Sequence, residues 1–410
     1  MNNPVQRPLS GIRVTGLEQY MAGPYCTMLL ADAGAEVIKI ERPGTGDPRR
    51  SMPPFAEKDG HKKAAGFMGY NRNKKSLALD LRHPDGQEIF RKLCVTSDVV
   101  VENLRPGSMN RMGLGADEMR ALNEKLIWAT ISGFGQMEGF KGPYSDRPAF
   151  DIVAEAMGGI MNLVGFADKP PSWTIYGMAD IYTGQVTAYG IMQALFMRER
   201  TGVGQFIDSA MYDNMLALNE SMVTLYSVAG QVPERDKPKN LWPRGAYKTT
   251  DGYIALNIPD NIQWARLCKT MGRADLIDDP RAINGTARSE NREQLQPVIE
   301  NWLGTLSRDQ AVETLNKAGI PCGPVNTVED IVHDPQVKAR SMIMPIKDPD
   351  VGTFQMTRSV PHLSENKQLP AHPAPNLGQH SREILQDVLG YTSVKVDRLV
   401  ESGVIEVPGN

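Results

Sequence analysis

Between residues 11 and 135 short apolar runs alternate with amphipathic ones, and few folds satisfy that pattern. G-I-R-V-T-G-L (11–17), A-E-V-I-K-I-E (35–41), S-L-A-L-D-L (76–81), S-D-V-V-V-E-N (97–103) and L-I-W-A-T-I-S-G-F-G (126–135) each read as a buried strand. Helical spacing fills the gaps. P-Y-C-T-M-L-L-A-D-A opens with Pro24 in its first turn and stops at Gly34. H-P-D-G-Q-E-I-F-R-K-L-C (83–94) places Ile89, Phe90 and Leu93 on one face, and A-D-E-M-R-A-L-N (116–123) forms another helix. Strand, helix, strand, repeated, requires a parallel sheet joined by right-handed crossovers. The fold class is α/β, with a large doubly wound, Rossmann-like domain.

Beyond residue 150 helical patterns dominate, over 151–164 and 180–199. G-Q-F-I-D-S-A-M (204–211) is one more strand, leading into a long helix rich in Met and Leu. V-P-E-R-D-K-P-K-N (232–240) is polar and contains proline, and reads as a linker. A smaller α+β unit follows. Its hairpin turns at Asp251-Gly252, amphipathic helices run to about 318, and I-P-C-G-P-V closes it. A β-like segment near 353–361 and two helices end the chain. The expected division is a large domain over 1–225, a linker over 226–244, a small domain over 245–330, and over 331–410 a linker and a return to the large domain.

Composition narrows the function. The 410 residues carry a net charge of −3, so the whole surface does not attract a polyanion, and nucleic acid is not an expected partner. An anionic ligand needs a few local cations instead. The four cysteines, Cys26, Cys94, Cys268 and Cys322, form no C-x-x-C pair; this argues against zinc or a disulfide framework and fits a reducing, cytoplasmic setting. M-N-N-P-V-Q-R-P-L-S lacks the apolar core of a signal peptide, and no apolar run approaches the ~18 residues of a membrane span.

The turn after the first strand, G-L-E-Q-Y-M-A-G-P, has no G-x-G-x-x-G, which argues against NAD or FAD, and no P-loop occurs. None of the six histidines sits near a G-x-S-x-G or an H-x-x-x-H pattern, so serine hydrolase chemistry has no support. Y-G-M-A-D-I-Y-T-G-Q (176–185) stands out instead, with Asp180 its only charge, at the mouth of an apolar helix. Two roles fit. Asp180 caps the helix, a contribution of ~1 kcal/mol. Or the helix N-terminus keeps it ionised at neutral pH, ready to attack an acyl carbonyl, with Gly177 and Gly184 leaving room for a ligand. The residues by themselves leave both open.

A-G-P-Y-C-T-M-L-L-A-D-A-G-A-E-V-I-K-I-E-R (22–42), N-R-N-K-K-S-L-A-L-D-L (71–81), V-V-E-N-L-R-P-G-S-M-N-R-M-G-L (100–114), S-G-F-G (132–135), A-D-I-Y-T-G (179–184) and T-G-V-G-Q-F-I-D (201–208) occur in one order. Together they resemble the family III CoA-transferases, the carnitine and bile-acid type, related to formyl-CoA transferase and α-methylacyl-CoA racemase. The resemblance runs from about residue 9 to the C-terminus. It implies a nucleophilic Asp, matched by Asp180, that becomes an aspartyl-CoA thioester while CoA moves from an acyl-CoA to a carboxylic acid. It implies CoA contacts at Met21, Ala22, Arg42, Leu79, Asp80, Leu81, Arg82, Asn103, Leu104, Arg105, Arg111, Arg147, Pro148, Ala149 and Phe150. Arginine forks suit the phosphates of CoA. Coenzyme A and acyl-CoA enter as substrates, with no permanently bound cofactor and no metal. The resemblance further implies an interlocked dimer, a homodimer or a heteromer with a homologous chain, which leaves room for this chain to be a non-catalytic subunit.

Two departures refine the expectation. The racemases resemble this chain but carry a His directly before an Asp, about thirty residues upstream of their conserved Asp. The matching pair here is Phe150-Asp151, and phenylalanine carries no proton, so two-base α-proton exchange loses one base. Formyl-CoA and oxalate-type transferases have a glycine run over the nucleophile; the matching N-L-W-P-R-G-A-Y (240–247) has Trp242 and Arg244. These two residues point to a larger acid, with Arg244 pairing a second carboxylate. Succinyl-CoA as donor and a malate, citramalate, itaconate or benzylsuccinate type of acceptor fit.

Overall fold

The computed structural model describes residues 7–236, 242–366 and 370–409. Residues 237–241 of the expected linker lie outside the described residues. The chain divides into two compact units. One comprises Met1–Met161, Ser172–Thr224 and Ser341–Asn410; the other comprises Asn162–Pro171 and Leu225–Arg340.

The first unit is built on a seven-stranded sheet. Its strands lie in the order Ile405–Glu406, Lys74–Leu79, Glu36–Glu41, Arg13–Leu17, Val99–Glu102, Ile127–Ser132, Phe206–Ala210. All pairs are parallel except that of the short C-terminal strand with Lys74–Leu79. The strands are near-continuous runs of Val, Ile and Leu because both faces are covered. One face carries Val14, Val37, Val99 and Ile131 under the helices Ala22–Asp32 and Met178–Thr201. The other carries Ile38, Leu77 and Trp128 against Phe90 and Leu93 of Pro84–Thr96, and against Ile384, Val396 and Leu399 from the chain's end.

From Arg13–Leu17 the chain moves outward through two strands, then returns to the opposite side of the first. The order therefore reverses between Arg13–Leu17 and Val99–Glu102, and α/β sheets bind ligands at the carboxyl ends of strands flanking such a reversal. Here the two strand ends are clamped. The Asn103 side-chain oxygen accepts from the Gln19 N–H (2.8 Å), and its amide nitrogen donates to the Gln19 carbonyl (2.9 Å).

The second unit pairs Arg244–Lys248, Tyr253–Asn257 and Cys322–Pro324 in an antiparallel sheet, with the Asp251-Gly252 turn joining the first two. Helices including Asn261–Thr270, Arg292–Leu303 and Arg308–Lys317 enclose its core. Two local expectations need correction, and one strand is additional. The Met-rich helix is two helices, Met211–Leu218 and Glu220–Ala229, broken at Asn219, whose side chain turns to the Gly158 carbonyl. The 151–164 helix ends at Met157, before Gly158-Gly159, and a 3-10 turn follows at Met161–Leu163. The strand Ile405–Glu406 was not foreseen, because two residues carry no period. No helix among the described residues is long and apolar enough to cross a membrane.

Candidate active site

Asp180 lies in the first turn of Met178–Thr201, yet it does not cap that helix. Asp151, at the start of the helix Asp151–Met157, does so. Its carboxylate accepts from the N–H groups of Gly177 (3.3 Å), Ala179 (2.7 Å) and Asp180 (3.1 Å). The N–H of Met178 donates to the Ile175 carbonyl and that of Ile181 to the Gly177 carbonyl. Every free donor of the first turn is thus occupied, so none of these N–H groups is free to hold an oxyanion in this arrangement.

The helix start is fixed sterically as well. Gly177 has φ 85°, in the left-handed region, and a Cβ there would lie 2.2 Å from Cε of Met21. At Gly184 a Cβ would meet the Ala22 carbonyl oxygen at 2.6 Å. The two glycines therefore do more than leave space for a ligand. They let the helix press its N-terminal turns against Met21 and Ala22, which are both buried.

Asp180 itself is half-buried, and its carboxylate makes no hydrogen bond among the described residues. Burial, joined by the Asp151 anion, pushes its carboxyl up to about 7, against the pull of Arg49. This corrects the expectation of an anion well ionised at neutral pH: the helix N–H groups that were to stabilise it bond to Asp151 instead. Asp180 is a carboxyl group without a structural task, poised to titrate near neutrality.

Arg49 was not picked out in the sequence. It lies in the 3-10 turn Pro48–Ser51 and is buried. It donates to the Tyr176 hydroxyl at 2.8 Å, one residue before Gly177. Its guanidinium stands over the rings of Tyr70 and Tyr176, 5.9 and 5.7 Å from their centres.

Behind the first strand lies a buried ionic cluster, also unforeseen. Glu18, Lys39 and Lys74 have fully buried side chains. Glu18 accepts from Lys74 (3.0 Å) and Thr27 (2.9 Å), and Lys39 reaches the Glu18 carbonyl (2.6 Å) and the Asp47 carboxylate (3.0 Å). Burial opposes the Glu18 anion, but Lys39 and Lys74 outweigh it and hold its carboxyl below the usual range. Burial takes Lys74 down to about 8 despite Glu18. Burial acts on Lys39 too, yet Glu18, Asp47 and Glu41 together raise it. The difference between the two lysines is the number of anions each faces.

The expected CoA contacts fall into distinct settings. Arg42 is exposed after the strand Glu36–Glu41. Leu79 is buried at the end of its strand and Leu81 is half-buried. Arg82 forks onto Asp80 (2.9 and 2.8 Å), a pairing that takes Asp80 down to about 2. Asn103 spends its amide on the clamp already described. Arg111 bonds the Pro106 carbonyl and Ser108. Arg105 and Arg147 are exposed, the latter 4.2 Å from the Tyr144 ring centre. Pro148 is exposed and Ala149 half-buried, while the exposed Phe150 meets Tyr20 edge to face at 6.2 Å. A cavity of about 490 Å³ opens beside the strand ends, lined by Leu104, Arg105, Arg111, Gln136, Met137 and Lys141 among others. In the second unit Arg244 is exposed. Trp242 needs correction: it packs against Trp264 in that unit's core with 2% exposure, so its ring is structural there.

Comparison with known proteins gives these features a context. Residues 9–381 match the model of CoA-transferase family III. The chain is 38% identical to a succinyl-CoA–D-citramalate CoA-transferase of Chloroflexus aurantiacus, over 97% of this chain and 98% of that one. It is also 38% identical to a succinyl-CoA:mesaconate CoA-transferase of Haloarcula hispanica, over 92% of this chain and 96% of that one. A crystal structure of a CAIB/BAIF family protein from Brucella suis superposes with a TM-score of 0.83 at 35% identity, covering 93% of this chain and 100% of that one. The chain belongs to CoA-transferase family III and is a CoA-transferase.

Proposed function

We propose that the protein transfers CoA from succinyl-CoA to a substituted dicarboxylate of the citramalate or mesaconate kind, through an aspartyl-CoA thioester on Asp180. The observation that carries the mechanism is the division of labour at the helix start. Asp151 satisfies the N–H groups, and this leaves the Asp180 carboxylate unbonded and able to react. The similarity to transferases named for succinyl-CoA and dicarboxylates supports the choice of acids.

The Asp180 carboxylate attacks the thioester carbonyl; the carbon–sulfur bond breaks, and CoA thiolate leaves a mixed anhydride. The thiolate then attacks the aspartyl carbonyl and frees the donor acid. The acceptor carboxylate attacks the resulting aspartyl thioester, making a second anhydride and releasing thiolate again. Attack of that thiolate on the acceptor's carbonyl gives the product thioester and restores the Asp180 carboxylate. The donor, aspartyl and product thioesters are of similar energy, and the two anhydrides are the activated species between them. Arg42, Arg105, Arg111 and Arg147, in the connections that follow the parallel strands, are assigned to the phosphates of CoA. The interlocked homodimer is the proposed active form; the exposed Tyr189, Met192 and Phe196 on one face of Met178–Thr201 suit burial by a second copy.

The purified chain alone, given succinyl-CoA and a panel of mono- and dicarboxylic acids, should form new thioesters with dicarboxylates. Product formed only from monocarboxylates, or none without a second subunit, would overturn the assignment. The pH profile offers another expectation. Asp180 must be deprotonated to attack, so kcat/KM should rise through pH about 7 and level off above it. In Asp151→Asn the amide still accepts from the helix but the neighbouring anion is gone, so the rise should move to lower pH, by on the order of one unit. An unmoved profile would mean that another group limits the reaction.

A further inference from the structure

A buried guanidinium needs an anion, and Arg49 is ion-paired with none among the described residues. Its side chain is packed away from solvent, with 8% exposure for the residue as a whole. The neighbouring carboxylates are committed elsewhere: Glu41 to Arg50 at 2.7 Å, and Asp47 to Lys39 and to the backbone N–H groups of Tyr20 and Arg49. One nitrogen donates to Tyr176, and the buried Nε has no acceptor. Gly66 lets the group lie close, since a Cβ there would be 2.7 Å from an Arg49 terminal nitrogen. A buried cation left in this state is costly unless a ligand completes it.

We propose that Arg49 is the specificity residue that receives the second, unreacting carboxylate of a dicarboxylic acyl group at Asp180. This rests on the reading of Asp180 as the nucleophile. Charge counting through the cycle supports it. When Asp180 is an anion, Arg49 has a negative group in its field. When Asp180 is acylated or thioesterified that charge disappears, and the cation faces a neutral site. A succinyl group brings its own carboxylate and restores balance in each acylated state, which a monocarboxylic acyl group cannot do. Planar fork donors and a carboxylate are geometrically matched. This role belongs to a residue in the same unit as Asp180, whereas Arg244, to which the sequence pointed, lies in the other.

The test compares succinyl-CoA with butyryl-CoA, which have equal chain length and differ in the terminal carboxylate. The wild-type enzyme should favour succinyl-CoA, and Arg49→Gln should reduce that preference in kcat/KM by roughly 30- to 300-fold. Equal loss with both thioesters, with the preference unchanged, would overturn the proposal and leave Arg49 acting only on the ionisation of Asp180. In that case the pH profile would shift upward equally for both thioesters. Should Arg49→Gln not fold, the wild-type enzyme still decides. Succinate must outcompete its monomethyl ester as acceptor by at least about tenfold, and equal use of the two would contradict the proposal. Failure of the nucleophile reading is separate: it would appear as wild-type transfer that persists in Asp180→Ala.

Discussion

Asp180→Ala should lose CoA transfer by roughly four orders of magnitude or more, while CoA binding measured by calorimetry stays nearly unchanged. In the proposed mechanism Asp180 carries the acyl group and then CoA, and water cannot replace it in that role. The same substitution should behave in an unusual way toward stability. A capping aspartate replaced by alanine costs about 1 kcal/mol. Here Asp151 supplies the cap, so that loss is not expected. The Asp180 carboxyl is instead raised from 3.8 to about 7 in the fold. Such a group favours folding in its protonated form, and its contribution is lost as pH rises from about 4 through 7. At pH 8 Asp180→Ala should therefore be more stable than wild type, by on the order of 1–3 kcal/mol, and the gap should close near pH 4. A destabilised variant at pH 8 would restore Asp180 to a structural role.

The largest stability effect is expected at Glu18. Its removal takes away the carboxylate that Lys39 and Lys74 share in the interior, leaving Asp47 bonded to Lys39 and no ion pair for Lys74 among the described residues. Breaking one member of a buried ionic group costs about 3–5 kcal/mol, because the surviving charge stays desolvated. Glu18→Gln keeps the shape and isolates the charge. Lys74 already sits near 8, below its ordinary value, so the folded state binds fewer protons there than the unfolded chain does. Stability carried by that group rises with pH. Urea denaturation of Glu18→Gln should accordingly show a loss of roughly 3–5 kcal/mol at pH 7 that shrinks toward pH 10. A loss under about 1 kcal/mol at pH 7 would mean that the cluster contributes little.

The parallel sheet was legible because strands buried on both faces must be continuous apolar runs, and Val99–Glu102 or Ile127–Ser132 can be little else. The position of Asp180 was legible for the same kind of reason: one charge in an apolar stretch demands an account. Its electrostatics were not, since they depend on Asp151, which is twenty-nine residues away and was marked only as the partner of Phe150. The ionic cluster was hidden inside motifs that carried the resemblance. N-R-N-K-K supplies Lys74, and the turn after the first strand supplies Glu18; in sequence both look like surface charge. Arg49 looked the same, because burial of a long polar side chain leaves no periodic trace. Trp242 failed in the opposite sense, an aromatic residue read as a ligand contact that packs as core.

Asp180 is proposed to carry CoA between two acids. Incubating the protein with succinyl-CoA, quenching in acid and digesting it should yield the peptide containing Asp180 with the added mass of CoA less one water. The adduct should vanish when a competent acceptor acid is added before the quench. An adduct on any other residue, or none during active turnover, would contradict the account.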